Sequence, residues 1–203
     1  MIESALENYK EKDDYKGFMA GHRYLLPMRT YFRDSYYTVL PMYNGQTDKV
    51  RNQIITLCNG IPSNNTCPSA VNSDYSAFWD EHFDSPSFFV IMLYDYVKNT
   101  GDISLLSEQI GSSTILEKAE AILLKLSESE DETGLTDFGV MTVYPFYKKA
   151  TSAYRKSSEP LNYHNGANWP YLSAIYAYAK RQYGMEYNNG RRIKYWFLGL
   201  AII

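Results

Sequence analysis

The segment HFDSPSFFVIMLYDYVKNTG, residues 82–101, decides how this chain is read. From Pro86 to Asn99 it is apolar almost all round, and a helix of that kind belongs in an interior rather than on a surface. Pro86 suits a first helical turn, Ser85 or Asp84 supplies a cap, and Gly101 supplies the stop. Capping therefore accounts for Asp84 or Ser85 but gives no role to Asp80, Glu81 and His82. For Asp80 and Glu81 the plain alternative is a solvated acidic loop.

Two other stretches repeat this design. YFRDSYYTVLPMYNG (31–45) and YHNGANWPYLSAIYAYAKRQYG (163–184) also run from an aromatic residue through a polar cluster to a Tyr-bearing apolar helix and a Gly. Between them lie one-sided helices. Thr47–Cys58 places Val50, Ile54, Ile55, Leu57 and Cys58 on one face behind a Thr47 or Asp48 cap, and Thr114–Leu126 is amphipathic. Ser35–Tyr43 is expected to be helical with Pro41 near its end, Ile103–Ile110 to be a short helix behind Asp102, and Pro170–Gln182 to be a helix. Apolar helices alternating with one-sided ones predict an all-α fold with an inner and an outer ring. The polar clusters would then collect at one end; a plain helical bundle with ordinary caps is the alternative.

With 203 residues, 45% apolar content and a net charge of −3, the chain can bury a core and has no basic excess. Nucleic acid and anionic membrane surfaces are therefore poor partners. Cys58 and Cys67 make neither a disulfide framework nor a zinc spacing, and one His among scattered carboxylates does not build a metal site. The charged start MIESALENYKEKDD carries no signal-peptide core, and the nine-residue run YWFLGLAII (195–203) falls short of the roughly 20 residues a spanning helix needs. Asn64-Asn65-Thr66 matches a glycosylation acceptor, read as chance without a secretion signal. The expectation is a soluble cytoplasmic protein with no cofactor and no metal. The 20 tyrosines are its unusual feature, since an apolar face with a hydroxyl suits sugar clefts and interfaces.

The clusters fit carbohydrate better than other chemistry. Arg33 beside Asp34 supplies donors and an acceptor for adjacent hydroxyls, although the pair is also an ordinary salt-bridge motif. Tyr163, His164, Asn165 and Trp169 around Gly166 combine amide and imidazole hydrogen bonding with an indole face; a packed helix entry is the structural alternative. No G-x-S-x-G elbow and no phosphate loop occurs.

FRDSYYTVLP, then FDSPSFFVIMLYDYVKNTGDISLL, then YHNGANWPYLSAIYAYA resemble, in this order, three segments of the (α/α)6-barrel glycosidases, which include glucoamylases and the glucosidase domain of glycogen debranching enzymes. The resemblance covers roughly Phe18 to Gly184. It implies an (α/α)6 toroid acting on α-linked glucosides, with Arg33, Asp34, Asp84, His164 and Trp169 lining the substrate pocket and Tyr163 and Asn165 beside them. In inverting enzymes of this kind two carboxyl groups stand about 6.5–9.5 Å apart. The general acid of glucoamylases is a Glu in TG-x-x-x-W-E. Here ETGLTDFGV (132–140) has Phe138-Gly139 at that place, leaving Asp137 as the nearest catalytic candidate. In that superfamily the general base lies beyond the Trp-Pro helix. Here only Glu186 follows, too soon and in the wrong context, so the general base is expected to be absent.

A complete barrel has twelve helices, against about six or seven candidates here. The expectation is therefore an incomplete (α/α)6 toroid over residues 1–184, with an atypical tail at 185–203 produced by truncation or frameshift. Such a half-barrel would self-associate or be completed by another chain. Three functions follow: a glycoside hydrolase-like protein acting on α-linked oligosaccharides or polysaccharides, a carbohydrate-binding or assembly protein that has lost the acid and base, or a scaffold whose clusters merely cap helices.

Overall fold

The computed structural model describes residues 2–21, 27–79, 81–82, 84–128, 135–136, 139–140, 174–175, 178 and 181. Its helices are α1 (Ile2–Leu6), α2 (Phe32–Val39), α3 (Thr47–Asn59), α4 (Ser85–Thr100) and α5 (Ile115–Glu128), with 3-10 turns at Leu40–Tyr43 and Ile103–Ser107. The strands are β1 (Tyr9–Lys12), β2 (Tyr15–Phe18), β3 (Arg29–Tyr31), β4 (Ala70–Asn72), β5 (Ala77–Phe78), β6 (Gln109–Ile110), β7 (Ser113–Thr114), β8 (Leu135–Thr136) and β9 (Gly139–Val140).

The all-α expectation, and with it the incomplete (α/α)6 toroid, is therefore corrected: the fold is mixed, with helices packed beside small antiparallel sheets. The strands pair as β1-β2, β3-β4-β5, β6-β7 and β8-β9. These strands are two to four residues long. Most are shorter than the roughly 4–8 residues over which alternation is readable, and the two four-residue strands, β1 and β2, do not alternate in burial.

Helix α4 occupies the interior, as its composition requires. Every side chain from Ser85 to Leu93 is buried. Gly101 ends the helix at φ 72, donating its N–H to Val97 O at 2.8 Å, a left-handed stop that costs glycine least. Around α4 stand α2, which brings Phe32 edge-on to Phe89 at 6.0 Å, and the one-sided helices α3 and α5. Helix α3 contributes Val50, Ile54, Leu57 and Cys58, and α5 contributes Ile115, Ala119, Ile122, Leu123 and Leu126.

Three local expectations shift. Helix α2 begins at Phe32, so Arg33 and Asp34 lie in its first turn rather than ahead of it, and Pro41 falls in the 3-10 turn that follows. Residues 103–110 are not one helix: a 3-10 turn capped by Asp102, which accepts from Ser104 N, gives way to β6. Gly111 at φ 65 then reverses the chain into β7. Neither Thr47 nor Asp48 caps α3, whose cap position is Gln46. Of the 170–182 helix only Ala174, Ile175, Tyr178 and Arg181 are described, each helical. The tail at 185–203 lies outside the described residues.

Polar side chains of α3 fasten the sheets to the helices. Gln53, fully buried, accepts from Phe18 N at 2.6 Å and donates to Thr30 Oγ1 at 2.9 Å. Thr56 Oγ1 donates to Lys16 O at 2.6 Å, and Thr30 Oγ1 donates to Phe18 O at 2.8 Å. One face of α3 thus holds both β2 and β3.

The end of α3 meets β4 so closely that a methyl group on Gly60 would lie 2.3 Å from Val71 Cγ2 and 2.4 Å from Cγ1. Overpacking of this kind costs about 1–3 kcal/mol. Gly60→Ala is therefore expected to lower the thermal midpoint, and to cost less in a Val71→Ala background. Equal losses in both backgrounds, read from denaturation midpoints, would refute the contact.

Candidate functional site

The β3-β4-β5 sheet and the first turns of α2 and α4 bring two of the three polar clusters together. Strand β3 runs directly into α2, so Tyr31 and Arg33 point from adjoining elements. The link from β5 to α4 carries Trp79 and His82.

Asp84 stands at the cap position of α4, yet its side chain makes no capping bond. Instead it is 2% exposed and held from two sides. Arg33 Nε donates to its Oδ2 at 2.7 Å, with Arg33 Nη2 on the same oxygen, and His82 Nδ1 bonds to Oδ1. Burial pushes the Asp84 carboxyl up, but the attraction and hydrogen bonds of His82 and then Arg33 outweigh it and bring the pKa to about 2. A capping role is thus displaced by an ion pair joining α2 to α4.

Arg33 keeps 21% of its side chain exposed, so the pair reaches from the interior to the surface. Asp34 beside it is exposed, and still desolvation raises its pKa, opposed by Arg33 and reinforced by the charge of Asp84. Arg33 and Asp34 thus form a charged surface patch beside the buried Asp84.

Aromatic rings border this patch. Tyr37, 50% exposed, sets its edge against Phe88 at 5.8 Å. Burial raises its hydroxyl pKa, while Arg33 lowers it and Asp84 raises it. Across the charged pair, Trp79 stacks on Phe78 at 5.0 Å and lies within 14° of parallel to the His82 ring at 6.5 Å. Phe78 meets Tyr31 edge-on at 6.1 Å and carries the Arg29 guanidinium 3.5 Å from its centroid. Trp79 holds φ 54, a left-handed backbone unusual for a bulky residue.

Of the site residues predicted from sequence, Arg33, Asp34 and Asp84 converge, while Asp137, Tyr163, His164, Asn165 and Trp169 lie outside the described residues. His82, Tyr37 and Trp79 were not predicted as site residues. For His82 a signal existed: a His-x-Asp spacing ahead of a Pro-started helix that capping left without explanation.

Among the described residues no group of three or more His, Cys, Asp or Glu is placed to hold a metal ion. Nor is any helix among them long and apolar enough to cross a membrane. No family model and no curated protein matches the chain.

The Asp84 pKa fixes a sign for acid stability. A carboxyl at about 2 against an ordinary 3.8 stabilises the fold above the ordinary value, and that contribution is lost as pH falls toward 2. Asp84→Asn should flatten the loss of stability across that window while lowering stability at neutral pH. An unchanged profile in acid denaturation would contradict the ion pair.

Proposed function

We propose that the surface patch at the starts of α2 and α4 binds α-linked glucosides and that the protein is glycoside hydrolase-like. The observation that carries this reading is the buried Arg33–Asp84–His82 network, which performs no helix capping. Buried ion pairs are weak sources of stability compared with apolar packing. Their use where α2 and α4 begin is better explained by a need to fix Arg33 at that patch. Tyr37 and Trp79 add aromatic surface on which sugar C–H faces stack, and the ordered resemblance of three segments to the (α/α)6 glycosidases points to the same ligand.

One observation favours a second reading, a carbohydrate-binding or assembly protein without catalysis. Asp84 is buried, ionised and engaged through both oxygens, so it is unsuited to proton transfer. Hydrolysis would require a carboxyl pair drawn from elsewhere, since the inverting reaction needs one acid and one base.

Calorimetric titration with maltotriose separates the readings when paired with a reducing-sugar assay after prolonged incubation. Binding with hydrolysis supports the hydrolase, and binding alone supports the second reading. No binding to the wild type removes both. Arg33→Ala is expected to weaken binding at least about tenfold, as loss of a charge-assisted hydrogen bond does. Trp79→Ala should weaken it by up to about tenfold. Saturating sugar at 100 times its dissociation constant should stabilise the wild type by about 2.7 kcal/mol.

A further inference from the structure

The two nitrogens of His82 have different surroundings. The residue is 4% exposed, and its Nδ1 bonds to Asp84 Oδ1. Its Nε2 is buried with no hydrogen-bond partner among the described residues, while the ring lines a small cavity with Cys67, Glu81, Pro86 and Lys125. An ionised carboxylate only accepts, so Nδ1 carries the hydrogen. An orphan buried nitrogen is a standing penalty, and the bond from Nδ1 must outweigh it.

Asp84 divides its oxygens between two neighbours: Oδ2 serves Arg33 and Oδ1 serves His82. A carboxylate held at both oxygens cannot rotate about its terminal torsion. Freed at Oδ1, it would turn to share both oxygens with the guanidinium, because Arg forms forked bidentate pairs readily. Arg33 would move with it.

From the juxtaposition of a one-sidedly bonded His82 with the Arg33–Asp84 pair, we infer that His82 is a positioning residue for Arg33. It locks the Asp84 carboxylate in the orientation that presents Oδ2, and thereby sets the position of the guanidinium at the surface patch. The consequence for ligand binding rests on the sugar-site reading; the positioning itself does not.

Three variants test this. His82→Asn retains a donor near the Nδ1 position, His82→Gln moves its amide toward the Nε2 position, and His82→Phe keeps a ring without a donor. The primary readout is the Arg33 Nε–H signal in 15N-edited NMR, assigned by its loss in Arg33→Lys, with circular dichroism melts to establish folding. The wild-type signal should persist in His82→Asn and shift or vanish in His82→Gln and His82→Phe. Maltotriose affinity should fall about tenfold in those two and return to within about threefold in His82→Asn. A folded His82→Gln or His82→Phe protein with an unchanged Arg33 Nε–H signal overturns the proposal. If maltotriose fails to bind the wild type while the NMR pattern holds, the sugar reading falls and the positioning role stands.

Discussion

A single carboxylate buried at the start of the central helix constrains much of this molecule. Asp84 is ionised and 2% exposed, and a buried charge is tolerated only with partners at hydrogen-bonding distance. Arg33 answers from the first turn of α2 and His82 from the segment leading out of β5. Taking away one partner of such a pair costs about 3–5 kcal/mol, because the other charge is left unpaired. The penalty for misplacing either neighbour therefore fixes the starts of α2 and α4 relative to each other. Apolar packing alone would not do so, since Phe32 against Phe89 tolerates sliding in a way a salt bridge does not.

A second polar fastening works behind the first. Gln53 and Thr56 sit three residues apart on one face of α3, and both bond to backbone or hydroxyl groups of the strands. Backbone groups of short strands are costly to bury unless paired. By satisfying them, α3 lets β2 and β3 lie against the helices where longer sheets would otherwise be needed. Strand β3 in turn delivers Tyr31 and Arg33, and its sheet partners carry Phe78 and lead to Trp79. Of the aromatic border of the patch, Tyr31 and Phe78 are thus products of the sheet, whereas Tyr37 and the charges of Arg33 and Asp34 come from α2.

This division explains what could be read from the residues alone. Helices α3, α4 and α5 follow from periodicity sustained over three or more turns, and the burial of α4 follows from an apolar surface on all sides. Arg33 was legible because no cap requires it, and Asp34 as the acceptor beside it; Asp84 suits a cap and was singled out only by the resemblance of its segment. The strands were not legible, because β1 reads Tyr-Lys-Glu-Lys and pairs through backbone atoms irrespective of its polar side chains. Trp79 was missed for the same reason: its importance comes from a left-handed backbone and from neighbours brought in by the sheet. His82 looked like surplus charge until its distance in sequence from Asp84, two residues, proved to be the contact itself.

The charge balance of the patch bears on what it can hold. The charge of Arg33 is matched by Asp84 in direct contact, and Asp34 adds a carboxyl alongside. A phosphate or carboxylate ligand would need surplus positive charge, as anion sites gather several donors of one sign. The patch instead presents a guanidinium whose charge is already answered, together with a carboxyl and aromatic rings. Such a surface distinguishes ligands by the direction of hydroxyl groups rather than by charge. A sugar hydroxyl donates as well as accepts, so it can serve Arg33 and Asp34 together where an anion would be repelled by Asp34. Because His82 holds Asp84 independently, a ligand can draw on the guanidinium without leaving the buried carboxylate bare. The same bond that stabilises the interior thereby helps to hold Arg33 at the surface patch.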